Sequence, residues 1–135
     1  DNTEKAVKIA CEKSNSLIHE YTVAPVFMDG NQTGAHEWLI EFEKAPEDLN
    51  YFTDVLDNAL KSLNSDYEAK RFNNFVLRAP IIRQMDKGTF YNWLRKKDKL
   101  GGQNKVPRLS NERKYLEEIL HLSPNPSPKR EGSQE

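Results

Sequence analysis

The sequence has 135 residues, of which 36% are hydrophobic and 30% are charged, and its formal net charge at pH 7 is -1. This length predicts a single domain, since domains run to roughly 100–200 residues. The single cysteine, Cys11, excludes an internal disulfide, and no hydrophobic run reaches the ~20 residues of a membrane span. We therefore expect a soluble, cytoplasmic protein with no membrane partner. A near-neutral charge also gives no general argument for a nucleic-acid partner.

The charges are unevenly distributed along the chain. Residues 37–57 contain seven acids against one lysine, and residues 87–108 contain seven bases against one acid. Such an asymmetry favours a charged ligand or partner at the basic end, although two solvated faces would produce the same pattern.

The first half of the chain predicts a helix followed by a β-hairpin. Residues 3–18 have hydrophobic side chains at helical spacing, with Thr3 as a candidate N-cap. Tyr21–Met28 is rich in β-branched and aromatic residues, and Pro25 places this strand at an edge or a bulge. After a polar turn, residues 36–44 alternate between hydrophobic and mainly acidic side chains, which predicts a second strand with one buried face.

The second half predicts a long helix, a strand and two shorter helices. The helix begins at Pro46 and keeps its hydrophobic spacing to about Arg71, with Tyr67 in the core and Arg71 able to reach a carboxylate. Three elements follow: a strand over residues 75–85 bent at Pro80, a helix over residues 90–97 preceded by a turn and cap at Gly88 and Thr89, and a last helix capped by Ser110 or Asn111.

The predicted order of elements is α-β-β-α-β-α-α. This order indicates an α+β fold, in which helices pack on a small, mostly antiparallel three-stranded sheet. We expect this domain to span residues 1–122. Residues 123–135, which are rich in proline and serine, are expected to be a disordered tail.

The loop over residues 100–109 is the strongest candidate for a functional site. Gly101 and Gly102 allow the backbone to approach a ligand closely, and Gln103 adds a neutral donor. Lys105 can bring a point charge to a phosphate or carboxylate oxygen, and Arg108 can pair with such a group through two hydrogen bonds. A plain basic loop would have the same composition. The sequence contains no phosphate-binding glycine motif and no ligand spacing for zinc, so we predict no metal site.

Four stretches together resemble one family, the Gretchen-Hagen-three auxin-responsive acyl acid amido synthetases, and in particular its bacterial branch. The stretches are Trp38–Glu43, Leu63–Arg71, Gly88–Leu94 and Leu100–Ser110. They occur in the family's order, and the resemblance extends from about residue 1 to Leu122. The tail after Leu122 matches nothing in the family.

The resemblance implies the small, mobile C-terminal domain of an adenylate-forming enzyme whose large N-terminal domain binds ATP. In the complete enzyme, ATP with Mg²⁺ would activate a carboxylic acid to an acyl adenylate, and an amino acid would then attack to form an amide. Lys105 matches the lysine that moves over the adenylation site. Gly101 and Gly102 would provide the hinge, while Gln103 and Arg108 would contact the nucleotide or the other domain. The chain alone is expected to be inactive.

A rival hypothesis is a free-standing binding module for an anionic partner such as RNA. Tyr91 and Trp93 lie close in sequence to Lys96 and Lys97, and aromatic and basic side chains together can bind single strands. The spacing of Trp93 with its hydrophobic neighbours is, however, that of a core stripe. We therefore do not expect a nucleic-acid partner.

Overall fold

The computed structural model describes residues 2–27, 33–98 and 105–122. Within these residues the elements are, in chain order, α1 (Asn2–Ser14), β1 (Leu17–Phe27), β2 (Gly34–Lys44), α2 (Leu49–Leu63), α3 (Ser65–Arg71), a 3-10 turn (Phe72–Asn74), β3 (Ile81–Met85), α4 (Thr89–Asp98) and α5 (Lys114–Leu122). The α+β class is confirmed. The predicted tail, residues 123–135, lies outside the described residues, and no described helix is both long and hydrophobic enough to cross a membrane.

The strands form a sheet in the order β1-β2-β3. The pairing of β1 with β2 is antiparallel and runs from Leu17 opposite Lys44 to Phe27 opposite Gly34. The shorter pairing of β2 with β3 is parallel and runs from Glu37 opposite Ile81 to Glu41 opposite Met85. The sheet is therefore mostly antiparallel, as predicted, and β1, which contains Pro25, lies at its edge.

Helices cover both faces of the sheet, so the prediction of a single buried face was wrong. On one face, Trp38 and Ile40 of β2 pack with residues of α1 and α2, including Phe52. On the other face, Leu39 packs with residues of α4 and α5, including Phe90. The central strand is consequently buried on both sides, which also buries Glu37 and Glu41 of its second face, while Glu43 near the end of the strand stays exposed.

The first helix ends earlier than predicted and begins at Asn2, so Thr3 is not its N-cap. Asn15 adopts a left-handed backbone conformation, with φ of 54°. The amide of Ser16 donates to the carbonyl of Cys11 at 3.0 Å. This pattern is a Schellman motif, in which asparagine tolerates the conformation that ends the helix.

The predicted helix from Pro46 to Arg71 is two helices that meet at Asn64. The true N-cap of α2 is Asp48, whose carboxylate accepts from the amides of Asn50 and Tyr51 at 2.9 and 3.2 Å. Asn64 has an extended backbone and is both the C-cap of α2 and the N-cap of α3. Its side-chain oxygen accepts from the Tyr67 amide at 3.1 Å, which allows the chain to turn without leaving that amide unpaired.

Two further boundaries differ from the prediction. The third strand covers only Ile81–Met85, because the residues before Pro80 form a 3-10 turn and an isolated bridge between Leu77 and Gly34. The last helix starts at Lys114, because the hydroxyl of Ser110 accepts from the Glu112 amide at 3.1 Å and so caps a local turn. By contrast, α4 follows Gly88 directly, as expected.

Candidate functional site

The candidate site lies on a short segment that pairs with β1 along its free edge, the edge opposite to β2. Residues 106–110, called here the edge segment, run parallel to β1, with a bridge between Val23 and Leu109. The Val23 amide donates to the carbonyl of Arg108 at 2.8 Å, and the Ser110 amide donates to the carbonyl of Val23 at 3.2 Å. Part of the predicted loop is therefore fixed by backbone pairing to the sheet.

A buried side-chain hydrogen bond strengthens this attachment. The Thr22 hydroxyl donates to the carbonyl of Pro107 at 2.6 Å, and Thr22 is only 1% exposed. Val106, next in sequence to Pro107, packs against the core that contains Leu39 and Phe90. The edge segment is thus held by both hydrogen bonds and hydrophobic contact.

Arg108 finds all of its described partners inside this domain. Its Nε donates to Glu20 Oε1 at 2.7 Å, and its Nη1 donates to Glu4 Oε2 at 3.1 Å. The guanidinium also lies 5.0 Å from the centre of the Tyr21 ring, and the hydrogen bond to Glu20 raises the pKa of Arg108. These contacts connect the edge segment to α1 and β1. The predicted phosphate or interdomain contact of Arg108 stays a prediction.

Lys105 immediately precedes the edge segment and is exposed to solvent. None of the ion pairs within the described part of the chain involves Lys105. Gly101, Gly102 and Gln103, the other predicted site residues, lie outside the described residues. The structure therefore places one predicted functional side chain, that of Lys105, in solvent directly before the edge segment.

A second polar group connects the helices that support this architecture. Asp57 of α2 accepts a hydrogen bond of 2.6 Å from the Tyr67 hydroxyl. It also accepts two hydrogen bonds from Arg71, at 2.9 Å from Nε and 2.7 Å from Nη2. Both predictions for α3, a core Tyr67 and an Arg71 that reaches a carboxylate, agree with these contacts. The partner, Asp57, was missed by the sequence reasoning; its signal was an acid next to Leu56 on the buried side of a helix.

The two buried acids of β2, Glu37 and Glu41, have structural partners. Glu41 is 4% exposed and accepts from the amides of Gly88 and Phe90 at 2.8 and 3.1 Å, where it caps the start of α4. Glu37 pairs with Arg83 and with Arg113. Two acids of the acidic stretch therefore form hydrogen bonds and ion pairs within the fold. No cluster of three or more potential metal ligands occurs among the residues that the structure describes.

The aromatic residues of α4 do not form a stacking surface of the kind that the RNA hypothesis requires. Trp93 is 3% exposed, and its indole Nε1 donates to Glu118 at 3.0 Å. The nearby Lys97 forms an ion pair with the same carboxylate at 3.1 Å. These groups hold α4 to α5, which leaves Tyr91 as the exposed aromatic residue of the helix.

Two solved structures of acyl acid amido synthetases share the fold. One, GH3.15 acyl acid amido synthetase, has a TM-score of 0.69 at 18% identity and covers 91% of this chain. The other, AtGH3.15 in complex with 2,4-DB, has a TM-score of 0.63 at 19% identity and covers 90%. This chain spans only 23% of each of those proteins. Likeness at such identities concerns the fold alone.

Sequence comparison identifies the family directly. Among curated protein sequences, none matches this chain. The family model described as the GH3 family C-terminal domain matches residues 1–114, which is most of the chain. The protein therefore belongs to the GH3 family, and the matched region is the C-terminal domain of that family.

Proposed function

We propose that this chain is the C-terminal domain of an ATP-dependent acyl acid amido synthetase and that it delivers Lys105 to the adenylation site. The observation that carries the proposal is the position of Lys105, exposed and directly before a segment fixed to β1. A large N-terminal domain would bind ATP, the carboxylic acid and the amino acid. The described residues contain no metal-ligand cluster, so this chain is not proposed to hold Mg²⁺.

Lys105 would act on the charge that develops during adenylation. When the carboxylate attacks the α-phosphate of ATP, negative charge builds on the phosphate oxygens and on the departing pyrophosphate. An ammonium group placed beside these oxygens stabilises the transition state more than the ground state, and it therefore accelerates the step. The donor must be held in place to have this effect, and the hydrogen bonds of the edge segment supply that support.

A lysine on a separate domain also allows the site to change between the two reactions. After the acyl adenylate forms, rotation of the domain would remove Lys105 and open the site to the amine. Such domain movements commonly order the steps of an enzyme. Gly101 and Gly102 would provide the backbone freedom near the lysine.

The experiment compares Lys105→Ala with Lys8→Ala in the full-length enzyme that contains this domain. Lys8 is a matched control because it is also exposed and lies on α1. ATP–pyrophosphate exchange should fall about 100-fold or more in Lys105→Ala, and it should be unchanged in Lys8→Ala. Amide formation from a supplied acyl adenylate should fall much less. Near-normal exchange by Lys105→Ala would contradict the proposed role.

A further inference from the structure

A short turn between α3 and β3 holds two phenylalanine rings in solvent. Phe72 and Phe75 are 66% and 70% exposed, and their ring centres lie 6.4 Å apart. Val76, the next residue, is 55% exposed. Phenylalanine is more often buried than exposed in a folded domain, and contiguous exposed hydrophobic surface commonly marks an interaction site. Residues 72–76 are called here the phenylalanine turn.

The backbone of the phenylalanine turn is fixed by a neighbouring side chain. Asn73 and Asn74 are both left-handed, with φ of 53° and 60°, a conformation that asparagine tolerates singly and that two successive residues seldom share. Arg71, the partner of Asp57, supports this conformation. Its Nη1 donates to Asn74 Oδ1 at 2.5 Å and to the carbonyl of Leu77 at 3.2 Å. Because the backbone is already held in this way, docking of the rings would immobilise little further chain.

Hydrogen bonds also attach the phenylalanine turn to the start of β2. The Thr33 hydroxyl donates to the carbonyl of Phe75 at 3.2 Å, and the Gly34 amide donates to the carbonyl of Val76 at 3.0 Å. Since Gly34 pairs with the last residue of β1, the turn lies toward the end of that strand. Lys105 precedes a segment that runs parallel to β1 and therefore lies nearer its start. The two surfaces are separate.

The exposed area of the two rings indicates which kind of partner they fit. With about 200 Å² for each phenylalanine, the rings offer about 270 Å² of hydrophobic surface. A stable complex between separate proteins buries about 800 Å² on each partner, so this patch is too small to hold a second copy or a free protein by itself. A domain of the same polypeptide needs less area, because the connection keeps its local concentration high. In the solved relatives most of the polypeptide lies outside this domain, since the chain spans 23% of each.

We propose that the phenylalanine turn docks on a hydrophobic surface of the large N-terminal domain, with Phe72 and Phe75 as its anchors. Aromatic anchors of this kind carry most of the binding energy at the centre of an interface. The inference rests on the proposed function in requiring that domain, but it does not require catalysis by Lys105.

The test is hydroxyl-radical footprinting, which oxidises side chains according to their exposure to solvent. The isolated chain is compared with the full-length enzyme that contains it, without ligand and with MgATP. Trypsin cleaves after Arg71 and after Arg78, so the peptide of residues 72–78 reports on both rings. Its oxidation should fall at least about threefold in the full-length enzyme in one or both conditions, because side chains at the core of an interface lose most of their exposure.

The same digest provides a matched control peptide. Cleavage after Lys87 and after Arg95 releases residues 88–95, in which Tyr91 is 61% exposed and Trp93 is 3% exposed. Oxidation of Tyr91 should be the same in the isolated chain and in the full-length enzyme. Trp93 should stay unmodified in both, which verifies that the isolated chain is folded.

Three results would overturn the proposal. Equal oxidation of residues 72–78 in the isolated chain and in the full-length enzyme, in both conditions, would exclude the docking. An equal fall in both peptides would indicate general shielding rather than a specific contact. A fall in the isolated chain as its concentration rises, with a dimer seen by light scattering, would assign the turn to a second copy. Normal ATP–pyrophosphate exchange by Lys105→Ala with residues 72–78 still protected would reject only the role of Lys105.

Discussion

Replacement of Asp57 by alanine should strongly destabilise the domain. The side chains of Asp57 and Arg71 are 10% and 9% exposed, and their closest contact is 2.7 Å. In Asp57→Ala, the Arg71 guanidinium keeps its buried position but loses the carboxylate that compensates its charge, and Tyr67 loses the acceptor of a 2.6 Å hydrogen bond. Breaking a buried pair in this way costs about 3–5 kcal/mol. That loss is a large part of the 5–15 kcal/mol typical of a domain.

The assay is urea unfolding at pH 7, followed by far-UV circular dichroism of the isolated chain. Lys61→Ala is the control, since Lys61 is 3.6 Å from the same carboxylate but is 33% exposed. It should change the free energy of unfolding by no more than about 1 kcal/mol. If Asp57→Ala is also within about 1 kcal/mol of the unmodified chain, the structural account of this network is wrong.

The pH dependence gives the same prediction a second test. Burial raises the pKa of Asp57, but the hydrogen bonds from Arg71 and Tyr67 outweigh it, so the pKa lies below its usual 3.8. The charged carboxylate therefore stabilises the fold above pH 3.8, and this contribution is lost as the pH falls through the lower, folded-state pKa. The difference in stability between the unmodified chain and Asp57→Ala should narrow in acid. A difference that widens there would refute the assignment.

Two other substitutions test separate parts of the structure. Gly88→Ala should lower the free energy of unfolding by about 1–2 kcal/mol, because φ at Gly88 is 92° and a side chain disfavours that conformation. Thermal unfolding of this variant beside the unmodified chain measures the loss of stability, and an unchanged melting temperature would contradict the prediction. Arg108→Ala should change the free energy of unfolding by less than about 1 kcal/mol, because the Arg108 side chain is 44% exposed. In the full-length enzyme, the same substitution should lower ATP–pyrophosphate exchange about tenfold, because it loosens the edge segment. Arg108→Lys should restore little of the lost exchange activity, since lysine cannot bridge Glu20 and Glu4 in the same geometry. Full exchange activity in either variant would exclude a positioning role for Arg108.

Elements whose formation depends on local patterns could be predicted from the sequence. The hydrophobic spacing of α2 and the alternation of β2 were sufficient to locate both. The break at Asn64 was missed because the hydrophobic spacing continues to Tyr67 across it. The chain turns at Asn64 because its side chain accepts a capping hydrogen bond from the Tyr67 amide. An asparagine inside a helical pattern is not sufficient to predict such a bond. The early end of α1 at Asn15 has the same kind of cause.

Features that depend on distant partners could not be predicted. Glu37 and Glu41 alternate with hydrophobic residues, which is the pattern of a strand with one face in water. They are buried because Arg83, Arg113 and the start of α4 compensate their charge. For the candidate site, the sequence suggested the loop and Lys105, which stay predictions, and it gave no sign that Arg108 pairs with Glu4 and Glu20, which precede it by more than eighty residues.

The edge segment has a consequence for how the chain avoids aggregation. An edge strand with unpaired backbone groups is a template for pairing with another molecule. In β1 the edge segment occupies the amide and carbonyl of Val23, and Pro25 next to it offers no N–H at all. If the segment separated from β1 whenever Lys105 moved, each catalytic cycle would expose this edge to intermolecular pairing. If Lys105 acts as proposed, rotation of the whole domain would carry the lysine while the edge stays covered, so the contacts that hold the edge segment would also limit intermolecular pairing during each cycle.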